Sequence, residues 1–168
     1  MRLLTITMLA VLAACEHRDA PPNLSPSPPA PPAPTLSAPD TRPSVTFTTA
    51  QGAAAVRVEV VQSEAKIERG LMYREHMPPD DGMLFLLEPE QDWKFWMRNT
   101  LIPLDIIFVK RDMTVAGIAA NAKPRDESLL SVGVPSKFVV ETNAGWAAAH
   151  HVVAGSEVKF AGVVPDPR

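Results

Sequence analysis

The chain has 168 residues, a formal net charge of -3, eighteen prolines and a single cysteine. Acidic and basic residues are mixed along it, so no basic stripe exists to follow a phosphate backbone and nucleic-acid binding is not expected. With Cys15 as the only thiol, disulfides, thiolate metal sites and cysteine redox chemistry are excluded from everything downstream.

Residues 1–14 read as a signal peptide. Arg2 supplies a thin positive start, and an apolar stretch follows from Leu3 to Leu12, too short to span a hydrocarbon core of about 30 Å as a helix. It closes on Leu12-Ala13-Ala14-Cys15, which resembles the lipobox of bacterial lipoproteins, in which the cysteine is acylated and becomes the first mature residue. An ordinary signal peptide, or an apolar N-terminus with a chance cysteine, is the competing reading. Acyl chains contribute about 0.8 kcal/mol per buried methylene, so several hold a protein durably on a membrane. The expected location is therefore the cell envelope, lipid-anchored through Cys15. Glu16 is not the aspartate that lipoprotein families associate with inner-membrane retention, so in a Gram-negative cell the outer membrane, facing the periplasm, is favoured.

Residues 15–52 are expected to form a tether. Ten of the eighteen prolines lie between Pro21 and Pro43, among Ala and Ser, and such a segment buries too little apolar surface to offset its chain entropy. Polyproline II rises about 3.1 Å per residue, so the tether could hold a domain tens of Å from the membrane.

The folded domain is placed at 53–168, about 115 residues, enough for one core. Val56, Val58 and Val60 alternate with Arg57 and Glu59, a strand with one wet face. Ser63 to Met72 reads as a short helix, with Ser63 as a side-chain cap, Glu64 at the positive end of the dipole, and Ile67 and Leu71 on one face. Gly70 inside it would permit close backbone approach. After the turn Pro78-Pro79-Asp80-Asp81-Gly82 come predicted strands at Met83 to Leu87, Trp93 to Arg98, Leu104 to Val109, Thr114 to Ala120, Lys137 to Thr142 and Glu157 to Gly162. Ala144 to Val153 could hold a helical turn. The pattern predicts a mostly β (α+β) fold: a small antiparallel β-barrel or curled sheet of about seven strands, with one or two short helices.

The block Phe95-Trp96-Met97-Arg98-Asn99-Thr100-Leu101-Ile102-Pro103-Leu104-Asp105-Ile106-Ile107-Phe108-Val109 is distinctive. With Glu68-Arg69-Gly70-Leu71-Met72, Gly82-Met83-Leu84-Phe85 and Val140-Glu141-Thr142-Asn143-Ala144-Gly145 in the same order, it resembles the domain-of-unknown-function family DUF 192 over about Val56 to Phe160. The resemblance implies a compact β-rich domain in prokaryotic, often exported, proteins. It supplies no reaction, substrate or cofactor. Pro124 to Ser131 and Gly155-Ser156-Glu157-Val158 depart from the family pattern.

Five residues are candidates for binding. Asp105 shares a strand face with Ile107 and Val109; a carboxylate there must find donors or a cation, so it either accepts backbone amides, or the side chain of Asn99 or Thr100, and pins the connection at Pro103, or acts as a general acid or base. Arg69 and Arg74 could clamp a ligand carboxylate or phosphate; Arg69 could equally pair with Asp105 or Glu141 inside the fold. Trp96 faces away from Phe95 and Met97 and is either buried on a doubly covered strand or free to stack on a sugar or apolar ligand. Asn99 completes the set. His150-His151 lacks a third ligand at a familiar spacing, so no metal is expected. No phosphate loop or serine-nucleophile elbow occurs, and no cofactor is expected. The leading expectation is an envelope domain that binds a small molecule, glycan or protein partner. A hydrolase or lyase using Asp105, and a structural or assembly lipoprotein without a ligand, are the alternatives.

Overall fold

The computed structural model describes residues 41–163; the expected signal peptide, Cys15 and the proline-rich stretch as far as residue 40 lie outside the described residues. Seven strands form one sheet: β1 (Ser44–Thr49), β2 (Gly52–Val61), β3 (Asp81–Gln91), β4 (Leu104–Val109), β5 (Val115–Ala122), β6 (Ser136–Asn143) and β7 (Glu157–Ala161). Helix α1 (Glu64–Arg69) lies between β2 and β3, and α2 (Trp146–Ala149) between β6 and β7. The order across the sheet is β5-β4-β6-β3-β2-β1-β7. Every neighbouring pair is antiparallel except β2 with β3, which α1 connects, since parallel neighbours need a crossover. The sheet curls into a half-barrel. At one end its two edges meet: Thr114 bridges Glu157, Val115 N donates to Ser156 O at 2.9 Å, and Val158 N donates to Met113 O at 2.8 Å.

The curl gives the sheet two apolar faces. Along β4 all six residues are buried, and alternation divides them. Ile107 and Val109 join a core built from all seven strands and capped by Trp146 and Ala147 of α2. Leu104, Ile106 and Phe108 join a second cluster on the opposite face with Met83, Phe85, Leu87 and Val139. A strand buried on both sides reads as a continuous apolar run, which is why this one is so plain in the sequence.

Three local expectations change. Strand β1 falls inside the expected tether: Val45 and Phe47 are fully buried, and β1 sits between β2 and β7. Its alternation Val45-Thr46-Phe47-Thr48 is a proper strand signal, overshadowed by Pro43 immediately before it. The folded unit therefore starts earlier than residue 53.

The Trp93 to Arg98 run is not a strand of the sheet. Only Phe95 pairs, with Leu130, through mutual backbone bonds of 2.9 and 2.7 Å. The alternation is real, with Met97 buried and Trp96 exposed, but the segment lies across the second face instead of joining an edge. Phe95 makes edge-on contacts with Phe85 at 5.3 Å and Phe108 at 5.8 Å.

Helix α1 is shorter than expected. The Ser63 side chain makes no capping bond; its carbonyl accepts from Lys66 N and Ile67 N at 3.0 and 2.9 Å. Gly70 terminates the helix with φ 46°, a conformation open to glycine, and a Cβ there would rest against the Phe85 ring at 3.4 Å. Gly82 is required for space: its Cβ would stand 2.4 Å from Glu141 O.

Candidate functional site

The second face is covered by α1, the turn after it and the 92–103 segment, and these leave a groove and a cavity between them. The groove, about 390 Å³, is lined by Glu68, Arg69, Tyr73, Trp96, Arg98 and Asn99, among others. Tyr73 is 62% exposed and Trp96 39% exposed. The Arg98 guanidinium lies 5.6 Å from the Trp96 ring centroid, within cation–π range. Tyr73 and Asn99 both adopt positive φ, 63° and 55°, and Tyr73 N donates to Asn99 O at 2.9 Å. That bond fastens two sharp turns together, with the Asn99 amide 4.0 Å from Met72 Sδ.

The cavity, about 230 Å³, adjoins the groove and shares Glu68, Arg69, Met72 and Trp96 with it. Its walls are mostly apolar, with Leu71, Phe85 and Phe95 prominent, and Thr100 and Glu141 add polar groups. Glu141 belongs to β6, where its register partners are Met83 and Ile106; both face the second cluster. It is 5% exposed, and its Oε2 atom has no hydrogen-bond partner. Burial pushes its carboxyl up to about 8, because an ionised group is poorly solvated among these side chains. At neutral pH the group is therefore mainly the uncharged acid, able to donate a hydrogen bond.

The five candidate residues are only partly brought together. Arg69, Trp96 and Asn99 share the groove. Arg74 lies on a neighbouring depression with Arg69 and is ion-paired with Glu59 at 2.7 Å. Trp96 is not covered on both faces; it is partly exposed. Asp105 stands on the other face of β4, with the inner core. It is fully buried, and its two oxygens accept backbone amides, Oδ1 from Asn121 N at 2.8 Å and Oδ2 from Ala147 N at 3.0 Å. The backbone-amide reading describes it, but the segments it pins are the end of β5 and the start of α2, not the bend at Pro103. At Asn121 the chain has φ 53°, and the β4–β5 register slips between Leu104 and Ile106, so Asp105 anchors an irregular stretch. Arg69 is exposed and pairs with neither Asp105 nor Glu141.

The rest of the Val140 to Gly145 motif is structural. Asn143 Nδ2 donates to Pro78 O at 2.8 Å, and Trp146 Nε1 donates to Asp80 Oδ1 at 3.1 Å, closing the 77–80 loop over α2. His150 stacks on Trp146 at 4.3 Å and donates from Nδ1 to Trp146 O at 2.9 Å. Glu141 lines the cavity but is absent from the five candidates. Alternation puts it on the face of β6 that carries Val139, with Val140 and Thr142 turned the other way.

Fold and site together define a β half-barrel domain with an acid-floored cavity on one covered face. The chain belongs to the DUF192 family, described as "Uncharacterized ACR", whose model matches residues 45–160. It is similar to a crystal structure of a protein of unknown function from Novosphingobium aromaticivorans DSM 12444, at 43% identity and TM-score 0.67, covering 69% of this chain and 83% of that one. It is also similar to a crystal structure from Sinorhizobium meliloti 1021, described provisionally as a transcription regulator, at 36% identity and TM-score 0.68, covering 72% and 95%. Among curated proteins none matches significantly.

Proposed function

We propose that this domain binds a small organic ligand, seated in the cavity above Glu141 with its outer part in the groove beside Trp96 and Arg69. The observation that carries the reading is Glu141, a buried glutamate with one unpartnered carboxyl oxygen that is among the residues lining an open cavity. A buried polar group without a partner costs about 1–3 kcal/mol, and a ligand that engages it recovers that energy. Apolar walls with few convergent polar groups are the usual makeup of small-molecule sites.

A thermal-shift screen with sugars, cell-wall fragments and small organic acids tests this. A binder should raise the melting temperature and perturb tryptophan fluorescence, and Trp96→Ala should weaken it about tenfold, the loss of one aromatic contact of about 1.4 kcal/mol. If no compound binds while envelope proteins co-purify with the chain, the assembly reading replaces this one.

The raised Glu141 carboxyl favours a second reading, a hydrolase or lyase, because acids tuned towards neutral pH inside clefts are the ones suited to proton transfer. Glu141, not Asp105, would be the acid, since both Asp105 oxygens hold backbone amides. Turnover of a bound compound that Glu141→Gln abolishes, with binding retained, would establish it.

The cellular setting proposed is the envelope, with lipid attached at Cys15. Leu12-Ala13-Ala14-Cys15 and the proline-rich stretch after it support this. Cys15→Ser should move the protein out of the membrane fraction and end its labelling by a palmitate analogue; unchanged fractionation and labelling would refute the anchor.

A further inference from the structure

Resting on the ligand-binding reading above, we infer the ligand's polarity: its buried end is an uncharged carbonyl oxygen that accepts a hydrogen bond from Glu141, its middle is apolar, and its outer end is anionic and meets Arg69 at the cavity mouth. The inner half follows from what the floor offers. Glu141 and the Thr100 hydroxyl are its polar groups, set among Leu71, Phe85 and Phe95, and the strands beside Glu141 present Met83 and Ile106. An ammonium group would bring three donors to this floor and would have to shed its water. A buried ion pair offsets that cost only when further hydrogen bonds satisfy both partners, and beyond the carboxyl itself the floor adds only the Thr100 hydroxyl, which is already bonded to Arg98 O. A carbonyl needs one donor. The outer half follows from the charges around the opening. Helix α1 contributes Glu68 and Arg69, the 92–103 segment contributes Lys94, which is ion-paired with Asp92, and the groove adds Arg98. Arg69 has no ion pair among the described residues, and its planar fork suits a carboxylate.

Three probes of matched length separate the alternatives: hexanamide, adipamate (the same chain with a carboxylate at the far end) and hexylammonium, each followed by ligand-observed NMR with the whole chain. Adipamate should bind best, hexanamide more weakly, and hexylammonium not measurably. Adipamate affinity should fall about tenfold with Arg69→Gln. It should also fall about tenfold between about pH 7 and about pH 9, as a carboxyl raised to about 8 gives up its proton. Glu141→Gln, which keeps a neutral donor, should retain binding, whereas Glu141→Met should lose it. If hexylammonium binds best, gains affinity with rising pH and is lost in Glu141→Gln, the site takes cations. The inferred polarity is then wrong although the cavity still binds. If none of the three binds and the metabolite screen is also blank, the ligand-binding reading itself falls.

Discussion

Asp105→Ala is expected to destabilise the domain by about 4 kcal/mol, read as a lower urea midpoint with an unchanged denaturant slope. Hydrogen bonds to a charged group contribute about 1.5–3 kcal/mol each. Asp105 makes two of them, at 2.8 and 3.0 Å, from a fully buried position. Alanine leaves the amides of Asn121 and Ala147 without acceptors, and the Ala147 amide is buried. Asp105→Asn keeps one acceptor oxygen but turns an NH2 group towards the other amide, so about 2–3 kcal/mol is expected for it. Domains of this size have about 5–15 kcal/mol in total, so the alanine variant should be close to unfolding. Hydrogen exchange offers a local check: both amides should lose protection before the β3–β6 ladder does. A change under about 0.5 kcal/mol, the range of ordinary surface substitutions, would show that this carboxylate holds nothing.

The second large effect is on the pH dependence of stability. In the folded domain the Glu141 carboxyl is raised from 4.5 to about 8, so the native state holds this proton more tightly than the unfolded chain does. Its contribution is therefore complete below about pH 4.5 and is lost progressively as pH rises through about 8. Each pH unit between those two values corresponds to about 1.4 kcal/mol, so the whole window spans several kcal/mol. Glu141→Gln has no proton to lose. Its stability relative to the parent should match near pH 4.5 and grow steadily more favourable up to about pH 8. Four carboxylates nearer the surface run the other way: Glu90 beside Arg111, Asp92 beside Lys94, Asp112 beside Thr114 and Lys110, and Asp126 beside Ser128 are all lowered by hydrogen bonds. They favour folding above the ordinary carboxylate range and lose that effect as pH falls. Solvent screening keeps such surface effects small, and all four are common to both proteins, so the difference between parent and variant isolates Glu141. Parallel stability curves would rule out the buried neutral acid.

The amount of this that the sequence discloses depends on where the burying partner lies in the chain. Leu104 to Val109 is legible to the residue, because a strand covered on both faces needs no knowledge of its neighbours. Alternation also places Asp105 correctly beside Ile107 and Val109, and gives Trp96 the face opposite Met97. It does not tell a strand of the sheet from a segment lying across it. The 93–98 run has the same period in either role, and only the pairing of Phe95 with Leu130 decides. Strand β1 is hidden by composition, since ten prolines precede or abut it. Arg74 looks like a ligand clamp because its partner, Glu59, sits on a strand that reads as half wet. Glu141 is the hardest to see. Its face of β6 is covered by Leu71 and Phe95, which come from separate parts of the chain, and no local pattern around Val140-Glu141-Thr142 announces that cover.

The direct measurement is a carbon-13 NMR titration of the Glu141 side-chain carboxyl, assigned by its disappearance in Glu141→Gln. A midpoint near 8 is expected, with the resonance at its protonated position through neutral pH. A midpoint near 4.5, the ordinary glutamate value, would mean that the carboxyl is charged and hydrated in the folded domain, and the cavity would lose the group around which the proposed site is built.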